Sequence, residues 1–128
     1  MKETVADIVR LTHFGLVLFM IVTPFIPNVH WTILSIHVTF AASLMFHWYL
    51  NEDACFLTLL ECSLRGIPMR NSFMHSIVNP VYKIQDKELR TISHLVTPLL
   101  ALISLYRIML QWAKLRMELG IVLALLFQ

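Results

Sequence analysis

Charge is what this chain has least of. Of its 128 residues only 14% are Asp, Glu, Lys or Arg, against 58% hydrophobic ones, where a soluble domain carries about 25% charged residues. Mean hydropathy is +0.72, and the length allows a single domain, so the apolar excess cannot be hidden in a second core. Cysteine is nearly as scarce. Cys55 and Cys62 make neither a disulfide framework nor a zinc pattern. A net charge of +2 without a basic patch interleaved with aromatics excludes a nucleic-acid surface. The opening MKETVADIVR mixes acids with bases before no small-residue cleavage site, so no removable signal peptide is expected. Repeats, low-complexity segments and a nucleophile elbow are all missing.

What is present is length without charge. Residues 11–51 contain no Asp, Glu, Lys or Arg. About 20 apolar residues cross the hydrocarbon as a helix, so this run holds two spans. Pro24 and Pro27, in TPFIPN, divide it, because proline lacks an amide donor and disfavours helix just before itself. The first span is placed at 5–26 and the second at 30–50, folded back as a hairpin. Trp48 and Tyr49 suit the headgroup level, and Asn51, Glu52 and Asp53 belong in water. A third span, 89–112, is charge-free from Thr91 to Tyr106; Pro98 interrupts its ladder, and Arg107 is expected to reach for the headgroups. The apolar tail, 117–128, is too short for a fourth span. It is read as a prolongation of the third helix into a neighbouring protein.

Between the second and third spans lies a loop, 51–88, with helices of its own. Thr58-x-x-Glu61 matches a capping box, with Thr58 as N-cap. Glu61 and Arg65 are spaced for an ion pair, and Gly66 with Pro68 stops the helix. The segment NSFMHSIVN, 71–79, separates an apolar from a polar face and is expected to lie in the interface. Asp86 is a candidate cap for the third span. With three spans the N-terminus and this loop share a side that carries Lys2, Arg10, Arg65, Arg70, Lys83, Lys87 and Arg90, against Arg107, Lys114 and Arg116 opposite. That asymmetry places them on the inner, cytoplasmic side.

Six histidines raise the question of a cofactor. In the three-span reading His13, His47 and His94 lie at one depth, where three imidazoles could bind a transition metal or two could ligate haem. Against this, histidine near an interface is cheap, and no HxxxH or ExxH pair is present. His30 and His37 share a face but stand ~10 Å apart along the axis. The commoner outcome for all six is ordinary hydrogen bonding, with no cofactor. A lipid-interacting enzyme or carrier could be built around His47, Glu52, Asp53, Cys55 and Glu61, although a solvated acidic face explains the carboxylates as well.

From the cysteine onward, Cys55-x-Leu57-Thr58-x-Leu60-Glu61-x-x-Leu64-Arg65 resembles the signature W-x-C-P-L-T-P-L-E-x-x-L-R of a family of small bacterial membrane proteins without established activity. The prolines of that signature are replaced here by Phe56 and Leu59. LTHFGLVLF, 11–19, is similar to the family's L-x-H-x-x-F-V-L-F, and Phe73, Pro80 and Tyr82 to its F-I-E-H-Y-L-L-P-L-x-Y, whose glutamate is absent here. The likeness covers 8–112. It implies a multi-spanning fold, a structural motif of Cys55, Thr58, Glu61 and Arg65, and no reaction. A weaker likeness, to small membrane proteins of large DNA viruses of algae, implies a place beneath a capsid.

The sequence thus predicts an all-α integral membrane bundle of three spans with short interfacial helices. Its expected role is non-enzymatic, an accessory or structural subunit that ties a larger assembly to a membrane. The expected partners are lipids and other protein subunits, met through 113–128 and the 51–88 loop.

Overall fold

The computed structural model describes residues 2–51, 55–68 and 86–126. Within them the chain forms four helices and no strand: α1 (Lys2–Val22), α2 (Trp31–Leu50), α3 (Phe56–Arg65) and α4 (Asp86–Leu126), with a 3-10 turn at Thr23–Phe25 after α1. Three stretches, Lys2–Phe25, Trp31–Leu50 and Arg90–Val122, are long and apolar enough to cross a membrane. The chain is an integral membrane helical bundle. The interfacial helix expected at 71–79 lies outside the described residues.

The packing is the reverse of a soluble protein's. Buried positions include His13, Thr23, His37, Thr58, Glu61, Thr97 and Ser104, while Leu11, Phe46, Leu95, Leu102 and many other large apolar side chains are exposed. In water such a surface would aggregate. In lipid it is the expected arrangement, because hydrocarbon solvates leucine and leaves polar groups to find one another.

α2 and α4 run antiparallel and form the closest pair of spans. Trp48 packs on His94 with ring centroids 5.0 Å apart. Trp31 packs on Trp112 at 5.8 Å. Between them lie Leu34, His37 and Ala41 of α2 and Thr97, Leu100 and Ser104 of α4, all buried. Each trio is spaced to share one helical face, and the small members let the backbones approach. The two tryptophans of α2 stand ~26 Å apart along its axis, close to the hydrocarbon thickness of ~30 Å.

Proline supplies the polar glue. Pro24 has no amide, so the carbonyl of Met20, four residues back, loses its helical donor. His37 replaces it from α2, with Nε2 3.0 Å from that oxygen. A carbonyl can only accept, so Nε2 carries the hydrogen. Ser104 Oγ then donates to Nδ1 from α4, at 3.0 Å. One imidazole, fully buried, joins all three spans.

The same face of α4 closes over the turn. Arg107 Nη1 donates to the carbonyl of Pro24 at 2.7 Å, and Gln111 Nε2 donates to that of Val29 at 2.8 Å. Arg107 therefore holds the α1–α2 turn from within the bundle, a more specific role than snorkelling. At the start of α2, His30 Nδ1 caps the helix by accepting from the Thr32 amide at 3.3 Å.

Substituting His37→Leu should strand the Met20 carbonyl and cost about 1–3 kcal/mol. Pro24→Ala, which returns an amide to that carbonyl, should recover part of the loss when combined with it. Unfolding of the four proteins in mixed micelles reads the coupling. Additive effects would mean that His37 does not serve the carbonyl.

Candidate functional site

The second polar seam runs between α1 and α3. α3 lies antiparallel to the N-terminal half of α1: Cys55, at its start, meets His13, and Arg65, at its end, pairs with Asp7. Thr58, Glu61 and Cys62 are buried between them, whereas Phe56 and Leu59 are exposed. The amphipathic helix thus turns its polar face toward protein and its apolar face outward, again the sense that lipid demands.

Local sequence explains the ends of α3. Its first residue is Phe56, and Cys55 is the N-cap residue, whose carbonyl accepts from the Leu59 amide at 3.0 Å. The predicted capping box is not formed. The helix begins three residues earlier than that reading requires, so Thr58 lies inside the first turn. The capping comes instead from another helix: His47, in the last turn of α2, accepts the Phe56 amide on Nε2 at 3.1 Å, with Asn51 Nδ2 also 3.1 Å from that nitrogen. At the other end Gly66 takes a left-handed φ of 65°, and the Ile67 amide reaches back to the Cys62 carbonyl at 3.1 Å, a Schellman stop.

The four motif positions converge. Cys55, Thr58, Glu61 and Arg65 recur every three or four residues and share the face toward α1. Glu61, 2% exposed, lies 3.5 Å from Arg65 Nε, the predicted i,i+4 pair, and Arg65 reaches across to Asp7. The seam is not fully satisfied. Among the described residues, His13 Nδ1, Glu61 Oε2 and Arg65 Nε are buried without a hydrogen-bond partner.

The two thiols differ. Burial works against the charged form of Cys55, yet the hydrogen bond and charge of His13, with the backbone amides of Thr58 and Leu57, outweigh it and hold this thiol below its ordinary value. Burial and then the charge of Glu61 push the Cys62 thiol up.

Of the three histidines expected at one depth, His13 and His47 meet consecutive residues, Cys55 and Phe56, while His94 packs on Trp48. Among the described residues no three His, Cys, Asp or Glu side chains are grouped to hold a metal ion. Glu52 and Asp53 lie outside those residues. The bonds made by His37, Ser104, Arg107 and Gln111 are not among the sequence expectations; Pro24, which frees the Met20 carbonyl, is a signal for the first two, and no sequence signal points to the other two.

The chain matches no family model, no curated protein and no solved structure. What it can do is read from its own geometry.

Gly66→Ala should weaken α3 by about 1 kcal/mol, because a Cβ disfavours the left-handed conformation. Amide exchange across residues 57–65 should accelerate about fivefold for that loss. Gly66→Asn, which tolerates this conformation better, should cost less.

Proposed function

We propose that this chain is a non-enzymatic accessory subunit that anchors a larger protein assembly to a membrane through the far end of α4. The observation that carries the reading is the length of that helix. Trp112 faces Trp31, the first residue of α2, yet α4 continues to Leu126, roughly four turns and ~21 Å further.

Nothing on α2 runs beside this extension. Its first turns carry Lys114, Arg116 and Glu118, with Lys114 and Glu118 paired at 3.8 Å. Beyond them Leu119, Ile121 and Val122 are exposed. A helix that turns charged at the membrane edge and apolar again outside it has a face that water disfavours. The apolar surface of a partner protein is the cover that fits. The Lys and Arg asymmetry supports an N-terminus and α3 on the cytoplasmic side, with the α4 extension opposite. The likeness of the α3 motif to small multi-spanning bacterial proteins supports a membrane role that needs no reaction; the likeness to small viral membrane proteins suits a capsid as the assembly.

Extraction of the native protein in mild detergent should recover it with a partner at constant stoichiometry. Truncation after Ala113 should leave the three spans folded and abolish that association. A full-length chain that purifies as a stable monomer, alone, would sink the anchoring role. Membrane-impermeant labelling of single cysteines placed at Lys2 and Arg116 should mark opposite faces.

A further inference from the structure

We infer that Cys55 and His13 form a thiol acylation site, in which Cys55 takes a long-chain acyl group from a fatty-acyl thioester at the membrane face. The dyad is built from two helices 42 residues apart in sequence. Cys55 Sγ lies in hydrogen-bond contact with His13 Nε2 at 3.7 Å. His13 is itself 7% exposed, and its other nitrogen has no partner, so this buried imidazole is aimed at the sulfur alone among the described residues. Cys55 also occupies the N-cap position of α3, where helix amides and the positive end of the dipole favour a thiolate. Cys55 is half-buried, whereas Cys62 is buried.

The class of electrophile follows from the surroundings. Phe56, next to the sulfur, and Leu59, one turn on, are exposed on the face of α3 that a bilayer-spanning chain turns to lipid. A reactant arriving there is an acyl chain with its carbonyl near the interface. His13 Nε2 takes the Sγ proton, and the thiolate adds to the acyl carbonyl carbon. The bond from that carbon to the donor sulfur, as in an acyl coenzyme A, then breaks. The departing thiolate recovers the proton from the imidazolium, and nothing is oxidised or reduced. The product anchors α3 by a second, covalent hydrocarbon chain.

The inference rests on the α1–α3 seam and not on the α4 extension, so either can fail without the other. Full-length protein in phosphatidylcholine nanodiscs is incubated with palmitoyl coenzyme A and followed by intact mass. One hydroxylamine-labile acyl group per chain should appear, persist in Cys62→Ser and vanish in Cys55→Ser. His13→Gln should slow its appearance about tenfold or more and move the pH profile toward that of an unassisted thiol. The charged groups further along the seam, Asp7 on α1 and Glu61 and Arg65 on α3, and His47 on α2, are unchanged in that variant. Should His13→Gln not fold, iodoacetamide on the wild-type chain decides: Cys55 should react far faster than Cys62. No acyl gain, acylation at Cys62, equal alkylation of the two thiols, or an unaltered rate and pH profile in folded His13→Gln would each overturn the assignment.

Discussion

A missing amide organises this bundle. Because Pro24 cannot donate, the last full turn of α1 presents an open carbonyl at Met20, and in hydrocarbon an open carbonyl is intolerable. His37 answers it from α2 and is held in turn by Ser104 from α4. A hydrogen bond has direction and a narrow range of distance, so this chain of two sets the rotation of α2 and α4 about their axes. Arg107 and Gln111 on the same face of α4 extend the restraint to the turn.

The second seam obeys the same rule with different chemistry. α3 presents Thr58, Glu61, Cys62 and Arg65 to α1 and its apolar side outward, so polar groups are sequestered by protein and hydrocarbon faces hydrocarbon. The histidines divide the work. His37 ties the spans, His30 begins α2, His47 begins α3, His94 packs on Trp48, and His13 faces a thiol. Four of these five duties concern helix ends or helix contacts. The fifth sets an imidazole against a thiol.

Much of the fold was legible from residues alone. The charge-free run, the break at Pro24 and Pro27, the stop at Gly66 and the i,i+4 pair of Glu61 and Arg65 all depend on neighbours in sequence, and each stands in the structure. The start of α3 departs from the local pattern for a physical reason. Thr58 and Glu61 satisfy the local rule for a capping box, but His47 on another helix supplies an acceptor to Phe56, and the helix begins there. Local pattern could not register a competitor 9 residues away. His13 and His47 meet neighbouring residues, Cys55 and Phe56, and His94 packs on Trp48; an expectation of shared depth carries no information about rotation around a helix.

Residue order alone is enough to mark three segments long and apolar enough to enter lipid, where they turn, and where the short helix ends, because solvation by hydrocarbon and backbone hydrogen bonding are properties of each segment alone. Which polar groups meet is a matter of three-dimensional packing: His37 with Met20 and Ser104, Cys55 with His13, Arg65 with Asp7. When the outside of a membrane span is as apolar as most of its inside, hydrophobic periodicity no longer marks the packed face. Rotation and pairing are then set by whichever scarce polar atoms can reach one another.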